Sequence, residues 1–370
     1  MNQSPTNHCI APLLQPFIDR HVLAGAVVLI ANREEVLSLE AVGYSDLGTR
    51  SAMQTDALFW IASTTKPMTG TALMMLVEEG LVSVEDPVEK YLPEFRGQMV
   101  IVEKDEEHVL LRRPQRLLLV RDILSHTGGL PFISPIEWLT VGGCIIDLSP
   151  LRTAVQSYAM TPLAFEPGTQ YSYSNAGTNT VGRIIEVVSG LSYVEFMEER
   201  LFKPLGMNDT TFNPNEKQLH RLAEVYKCCE DKNGLEKTTI SQLSYPLSKP
   251  LRYPAPAGGL FSTANDVSKF ARMILSGGEF EGRHYLSESL IRQMTAKQTA
   301  PAIEKGYGFG WANDAEGTFG HGGAYKNDMT IDPILGLVTV FMVQQMGDWG
   351  SPQGAEIMPL IKKEATKLRP

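Results

Sequence analysis

A serine and a lysine three residues apart, Ser63 and Lys66, stand at the start of an apolar stretch and could together carry out nucleophilic acyl chemistry. Residues with this spacing lie on one face of a helix, so the hydroxyl and the amine would meet. A hydroxyl is a poor nucleophile until a base takes its proton, and a lysine can be that base when burial or a nearby cation keeps it neutral. The pair alone fits a simpler interpretation as well, a capped helix start whose lysine is solvated.

The surrounding residues predict the helix that must hold this pair. Ala57 to Ala62 has the pattern of a short strand that delivers the chain to Ser63, and Met68 to Val77 is almost entirely apolar. A helix that is apolar on every side is surrounded by protein, and such burial would hold the pair rigidly. Gly80 is placed to end this helix as its C-cap.

Both ends of the chain have the pattern of β-strands, whereas the middle favours helices. Ala26 to Ala31 and Val36 to Val42 form a predicted hairpin, and glycine-punctuated strands run from 306 to 346. This arrangement indicates one antiparallel sheet built from both termini and an α+β class. The other predicted elements are helices at Pro12–His21, Val120–Ser125, Leu151–Met160, Thr178–Ser189, Ser192–Phe202 and Ser287–Met294, a helix capped by Thr263, a final helix near Gln353–Leu368, and a surface hairpin of Met99–Glu103 with His108–Arg112.

The composition of the 370 residues restricts the class of partner. A net charge of -9, with 20% charged and 43% hydrophobic residues, is typical of an ordinary soluble globular protein. Nucleic acids and anionic membranes are bound chiefly through basic surface, so both are disfavoured and a small-molecule substrate is favoured. No sequence feature indicates an oligomeric state.

The sequence carries no sign of export, membrane insertion, metal binding or cofactor binding. The start of the chain lacks the basic and apolar regions of a signal peptide, and no later apolar run reaches about eighteen residues, so a cytoplasmic protein is expected. Cys9, Cys144, Cys228 and Cys229 lack metal-ligand or redox spacing and are expected to be reduced thiols. HExxH, GxxxxGK[ST] and GxSxG are absent, so we expect no metal and no cofactor.

Two further stretches form a pattern with the serine and lysine: Tyr173-Ser174-Asn175 and His321-Gly322-Gly323 follow Ser63-Thr64-Thr65-Lys66 along the chain. Their order and spacing resemble the serine β-lactamase and penicillin-binding-protein superfamily, specifically its class C β-lactamase-like branch, which includes the family VIII carboxylesterases. The similarity runs from about Leu23 to Met346. It includes the segments LVSVEDPVEKYLPEF, RDILSHTGGL, FEPGTQYSYSN and GYGFGW.

The resemblance implies a β-lactamase/transpeptidase-like α+β fold in two parts. Residues 1–64 and 262–370 would form an α/β subdomain with the antiparallel sheet. Residues 65–261 would form a mostly helical subdomain, with the active site between the two.

The resemblance also implies the catalytic roles. Ser63 would attack an ester or amide carbonyl and form an acyl-enzyme. Lys66 and Tyr173 would share the work of the base, although a tyrosine is a poor base at neutral pH unless nearby cations stabilise its anion. Because the two would titrate as a coupled pair, the sequence does not assign the base to either.

Two polar residues would complete the catalytic group. Asn175 would hydrogen-bond Lys66 or the acyl part of the substrate. His321 stands at the position where the β-lactamases carry the lysine of Lys-Thr-Gly. It would donate or accept a proton while fixing Tyr173. By itself, a histidine beside two glycines also fits a turn.

The backbone around these residues would bind the substrate. Gly322 and Gly323 would let it approach the edge of a strand closely. The N–H groups of Ser63 and Ala324 would form an oxyanion hole.

Other polar and aromatic residues fit structural roles better. Tyr173, without the other two motifs, would be interpreted as a core tyrosine with a satisfied hydroxyl. His126 is interpreted as a structural residue that closes a helix. Tyr307 and Trp311, at alternate positions of a strand, are interpreted as packing residues.

These observations predict a serine hydrolase for small carboxylic esters. An uncharged His321 would bind a substrate carboxylate less well than a lysine, so weak or no β-lactam hydrolysis is expected. The alternatives are a true β-lactamase or a D-amino-acid-specific peptidase on the same residues, an acyltransferase, and a non-catalytic scaffold of the same fold.

Overall fold

The computed structural model describes residues 9–133, 145–147, 149–231, 233–249 and 252–368. The helices in these ranges are α1 (Ala11–Asp19), α2 (Thr65–Glu78), α3 (Val120–Leu124), α4 (Leu151–Ala159), α5 (Asn175–Ser189), α6 (Tyr193–Met197), α7 (Glu216–Leu219), α8 (Ala264–Leu275), α9 (Glu288–Thr295) and α10 (Ile357–Ala365). The strands are β1 (Gly25–Ala31), β2 (Val36–Asp46), β3 (Ser51–Ala52), β4 (Phe59–Trp60), β5 (Val100–Lys104), β6 (Val109–Arg112), β7 (Val225–Cys228), β8 (Leu235–Thr238), β9 (Phe261–Ser262), β10 (Glu279–Phe280), β11 (Arg283–His284), β12 (Ala312–Asn313), β13 (Phe319–Gly322), β14 (Asp328–Asp332), β15 (Leu337–Met342) and β16 (Gln345–Met346).

Seven strands from the two ends of the chain form the main sheet. Their order is β12-β13-β14-β15-β1-β2-β3, and every neighbouring pair is antiparallel. The ends of the chain join where β1 pairs with β15, with Val27 opposite Met342 and Ala31 opposite Val338. The predicted antiparallel sheet and the α+β class are therefore confirmed.

The sheet is covered on both faces, and the sequence of β1 shows why. The strand GAVVLIA contains no polar side chain and is buried along its whole length. Because alternate residues point to opposite faces, Val27 and Leu29 pack in the core shared with α2 and α8, whereas Val28 and Ile30 pack with α1 and α10. A strand with helices on both sides is expected to be a continuous apolar run rather than an alternating one.

The central helix α2 is buried as its composition predicts. Every residue from Thr65 to Leu76 is buried, and Gly80, with φ +71°, follows the C-cap and ends the helix as predicted. The start differs from the prediction, because Ser63 lies in a 3-10 turn of residues Ala62–Thr64 and α2 begins only at Thr65. The left-handed φ of +45° at Ala62 prevents the α-helix from extending back through that residue.

Several predicted boundaries also shift for local reasons. Helix α5 begins at Asn175 rather than Thr178, because the Ser174 hydroxyl caps it by accepting from the Gly177 N–H. The predicted helix through Phe202 is α-helical only to Met197 and then forms a π-helical turn. The strand before Ser63 is limited to β4, and the final helix is α-helical only within α10, with 3-10 turns on both sides.

The remaining expectations concern thiols and membranes. Cys9, Cys228 and Cys229 carry free thiols. Cys144 lies outside the described residues, and so do residues 1–8, the first part of the N-terminal stretch on which the expectation about an export signal depends. None of the helices in the described ranges combines the length and the apolar character that a membrane crossing requires.

Candidate active site

Ser63 lies in a strained turn between β4 and α2. The preceding Ala62 adopts a left-handed φ of +45°, which is uncommon for a residue with a Cβ. The Thr65 hydroxyl donates to the Ala62 carbonyl at 2.6 Å and holds the turn in this conformation. Ala62 and Thr64 are buried, whereas Ser63 is only partly buried. The turn therefore presents the serine while its neighbours remain in the core.

Lys66 is fully buried beside the serine and makes three polar contacts. Its Nζ atom lies 3.2 Å from Ser63 Oγ, 2.8 Å from Asn175 Oδ1 and 2.6 Å from the Ala257 carbonyl oxygen. Burial lowers the pKa of the Lys66 amine well below its ordinary value, which favours the neutral form.

A neutral Lys66 amine has one lone pair and two N–H bonds. The hydrogen-bonding groups around it determine where the lone pair and the N–H bonds point. Asn175 Oδ1 and the Ala257 carbonyl oxygen can only accept, so they take the two N–H bonds. The lone pair is then left for Ser63, whose hydroxyl can donate. In this arrangement a neutral Lys66 can accept the proton of Ser63.

Tyr173 contacts both members of this pair. Its hydroxyl is near enough to the Ser63 side chain to interact with it, and the Lys66 Nζ atom lies 4.7 Å from the centre of its ring. Burial raises the pKa of the Tyr173 phenol well above its ordinary value, although the interaction with Ser63 acts in the opposite direction. The tyrosine is therefore a neutral phenol at physiological pH rather than a tyrosinate.

The N-terminus of α5 brings Tyr173 and Asn175 to the same place. Ser174 between them is extended, with φ -135° and ψ 118°, so its two neighbours project to one side. The Ser174 hydroxyl accepts from the Gly177 N–H at 3.0 Å and donates to the Pro131 carbonyl at 2.6 Å. The middle residue of Tyr-Ser-Asn thus anchors the turn, and its two neighbours face Lys66.

His321 lies on β13 with both ring nitrogens bonded. Nδ1 lies 2.7 Å from the Gly322 carbonyl, which can only accept, and Nε2 lies 3.0 Å from the Tyr307 hydroxyl. Burial, together with the nearby Lys66, lowers the pKa of His321 to about 3. Its ring centre is 6.1 Å from that of Tyr173. In contrast to the expectation, the histidine is held by Tyr307 and not by Tyr173.

A turn after β13 places Ala324 beside the nucleophile. A Cβ at position 323 would come within 2.6 Å of the Ile61 carbonyl oxygen, so only glycine allows this close approach. The Gly323 N–H donates to the Asn327 carbonyl at 2.7 Å. The Ala324 N–H donates to no acceptor among the described residues, and Gly322 and Ala324 are exposed. The arrangement is compatible with the predicted oxyanion donor and strand edge.

Asn327 connects this turn to the residues just before Ser63, a role that the sequence did not indicate. Its amide Nδ2 donates to the Trp60 carbonyl at 2.9 Å, and its Oδ1 accepts from the Val343 N–H at 3.2 Å. The side chain is buried. One asparagine therefore holds β4, β15 and the turn with Ala324 together.

His126 and Tyr307, which the sequence favours as structural or packing residues, contact the candidate catalytic residues. The His126 ring centre lies 4.5 Å from those of both Tyr173 and Tyr307, and its Nδ1 accepts from the Ser174 N–H at 3.2 Å. Both residues lie in segments that carry the resemblance, RDILSHTGGL and GYGFGW. Trp311 packs in the core against Phe270, with ring centres 5.8 Å apart, as predicted.

The described ranges contain no group of three or more His, Cys, Asp or Glu side chains that could hold a metal ion.

Comparisons with known proteins give the family. A family model for beta-lactamase matches residues 10–358. Protein Rv1367c of Mycobacterium tuberculosis is 29% identical over 89% of this chain and 88% of its own length, and Esterase EstB of Burkholderia gladioli is 26% identical over 86% of each chain. The structure of EstCE1, a hydrolase with promiscuous acyltransferase activity, has a TM-score of 0.79, covers 96% of this chain and 97% of that chain, and is 23% identical.

The match to the family extends over both groups of strands and the helices between them. The structural likeness to EstCE1 shows the same fold over nearly the full length of both chains. The chain is a serine hydrolase that belongs to the beta-lactamase family.

Proposed function

We propose that the protein hydrolyses small, uncharged carboxylic esters through an acyl-enzyme on Ser63. The arrangement of Lys66 carries this proposal. A buried amine with both N–H bonds directed to carbonyl oxygens has its lone pair free for the serine 3.2 Å away. A weak nucleophile becomes reactive when a base is held in this way.

Acylation begins when Ser63 Oγ attacks the ester carbonyl while its proton passes to Lys66. The oxyanion that forms accepts from the N–H groups of Ser63 and Ala324, and loss of one such donor costs about 2.7–4 kcal/mol in comparable sites. The intermediate collapses, the bond to the alcohol oxygen breaks, and the proton on Lys66 reaches that oxygen through the hydroxyl of Tyr173. A neutral phenol can donate one proton as it accepts another.

Deacylation repeats these steps with water in place of the alcohol. The water gives a proton to the same base and attacks the acyl carbonyl. The oxyanion then collapses, a carboxylic acid leaves, and Ser63 recovers its proton.

The charge of the site supports uncharged esters as the substrate class. The buried His321 has a pKa of about 3, so at neutral pH it offers no positive charge to a substrate carboxylate. Cephalosporins and peptide C-termini carry such a carboxylate, whereas simple esters do not. The similarity to Esterase EstB agrees with this preference.

The test compares p-nitrophenyl butyrate with a cephalosporin at equal enzyme concentration, in the wild-type protein and in S63A. We expect rapid ester turnover, slow or absent cephalosporin turnover, and loss of ester turnover in S63A. Mass spectrometry of the intact protein should show one butyryl group on wild type and none on S63A. The control S289A, at an exposed position on α9, should remain active.

The alternatives give different results in the same experiment. Faster turnover of the cephalosporin, or of a peptide ending in D-alanine, would reverse the ranking of substrates. Added butanol would yield an ester product if the acyl group is transferred to alcohols. Failure of folded protein to react with a fluorophosphonate at Ser63 would indicate a non-catalytic scaffold.

We also propose that the site lies between two subdomains, residues 1–64 with 262–370 and residues 65–261. The origin of the residues supports this division. His321 comes from a strand of the main sheet, whereas Tyr173 lies two residues before helix α5. Substrate would then enter between the two parts.

A further inference from the structure

The shortest polar contact of Lys66 is to a loop, which must therefore be held in place. The Ala257 carbonyl oxygen lies 2.6 Å from Lys66 Nζ, and residues 252–260 belong to no helix or strand. A loop carbonyl turns freely unless other groups fix its peptide units. If this oxygen moved away, one N–H bond of Lys66 would lose its acceptor.

The peptide unit between Pro256 and Ala257 is bonded at both ends. Its carbonyl, on Pro256, accepts from the Thr69 hydroxyl of α2 at 2.7 Å. Its N–H, on Ala257, donates to Asn179 Oδ1 of α5 at 3.0 Å. Two helices thus hold one peptide plane between them, which restricts the direction of the carbonyl that follows; the peptide unit of that carbonyl is also held by the Gly258 N–H, which donates to the Ala255 carbonyl at 3.0 Å.

Asn179 is itself held in one orientation. It lies one helical turn after Asn175, is 7% exposed, and its Nδ2 donates to the Tyr158 hydroxyl at 3.1 Å. Since the Ala257 N–H can only donate, it must face the oxygen of the amide. Helix α5 therefore supports Lys66 twice, directly through Asn175 and indirectly through Asn179.

We propose that Asn179 is a positioning residue for Lys66 that acts through the Pro256–Ala257 peptide unit. By holding the Ala257 carbonyl against one N–H bond of the amine, it keeps the lone pair of Lys66 directed at Ser63. The consequence for the rate depends on the proposed function, in which Lys66 is the base. The expected change in hydrogen exchange of the Ala257 N–H does not depend on the proposed function.

The test uses N179A and N179D in the full-length protein. In N179A the Ala257 N–H loses its acceptor, so its hydrogen exchange should become faster, and the single-turnover rate of Ser63 acylation should fall roughly 10- to 100-fold, as expected for a misplaced catalytic group. KM should change much less than kcat. In N179D a carboxylate oxygen can still accept from Ala257, so slow exchange and most of the rate should return.

The pH dependence of kcat/KM distinguishes a role of Asn179 in positioning Lys66 from a general loss of stability. A carboxylate at position 179 adds a negative charge near Lys66, which should raise the pKa of the amine and move the acid limb of the N179D profile to higher pH. The control V181A removes buried apolar volume from the same helix. It should lower stability without changing kcat or the pH profile.

Three results would overturn the proposal: unchanged Ala257 exchange and acylation in N179A, equal loss of rate in N179A and V181A, or no recovery in N179D. If N179A does not fold, Y158F removes the group that orients the Asn179 amide and should show smaller changes of the same sign. If the wild-type protein hydrolyses no ester, the proposed function fails. Exchange of the Ala257 amide then still decides the role of Asn179.

Discussion

The hydroxyl of Tyr307 and the Nε2 atom of His321 lie 3.0 Å apart, and the carbonyl on the other side of the ring decides which of these two groups donates. The Gly322 carbonyl, 2.7 Å from Nδ1, can only accept, so the proton is on Nδ1. Tyr307 is then the donor to Nε2. His321 therefore faces the site as an uncharged ring with both nitrogens bonded.

Removing the Tyr307 hydroxyl should raise the pKa of His321. The hydrogen bond to Nε2 favours the neutral ring, and a bond of this kind contributes about 0.5–1.5 kcal/mol, or roughly one pKa unit at most. NMR titration of the ring signals in Y307F measures the change. The control Y171F alters the same aromatic cluster, since ring centres of Tyr171 and Tyr307 are 5.9 Å apart. An unshifted titration in Y307F would contradict the hydrogen-bond assignment.

Ester hydrolysis should be lost on the acid side of a pH profile because Lys66 acts only when neutral. Burial lowers its pKa well below 10.5, so the amine stays active into a range where a solvated lysine is charged. As the pH falls through the lowered pKa, Lys66 gains a proton and kcat/KM decreases.

Replacing Lys66 by arginine tests the same base directly. An arginine remains protonated, so K66R should lose roughly 10²- to 10⁴-fold in acylation rate at every pH, the usual range for a general base. The control K269R, on α8, should retain the wild-type profile. Substantial activity in K66R would show that another group takes the proton from Ser63.

A lysine in place of His321 should shift preference toward substrates with a carboxylate. A hydrogen bond to a charged group contributes about 1.5–3 kcal/mol, so the ratio of cephalosporin to ester kcat/KM should rise roughly 10- to 100-fold in H321K. The new cation should also lower the pKa of Lys66 and move the acid limb to lower pH. The uncharged H321Q is the control, and an equal shift of the ratio in H321Q would exclude the charge as the cause.

Loss of Asn327 should reduce both stability and activity. In N327A the Trp60 carbonyl and the Val343 N–H lose their partner, at a cost of about 1–3 kcal/mol for each buried group. The turn with Ala324 would move relative to Ser63, so kcat should fall by at least about 10-fold. Urea unfolding and ester kinetics measure the two effects. The control is N313A, at a residue of the edge strand β12 whose amide donates a hydrogen bond to the Thr295 carbonyl. This variant should be less stable but should keep the wild-type kcat.

The sequence by itself determined the features that depend on neighbouring residues. The spacing of Ser63 and Lys66, the apolar run of α2 and the glycine that ends it follow from helix geometry within one segment. The apolar strands at both ends of the chain likewise indicated one antiparallel sheet. The order of the three motifs, through the resemblance, indicated which distant segments belong to one site.

Only the tertiary structure decided how the polar atoms of that site are paired. The acceptors of Lys66 lie 109 and 191 residues away in the chain, and neither Asn179 nor Asn327 belongs to a periodic pattern that would mark its contact. The hydrogen bond at Nε2 of His321 likewise comes from Tyr307, which sequence reasoning assigned to packing. Hydrogen-bond direction depends on distances of a few tenths of an ångström between separate segments, and residue type and spacing do not contain those distances.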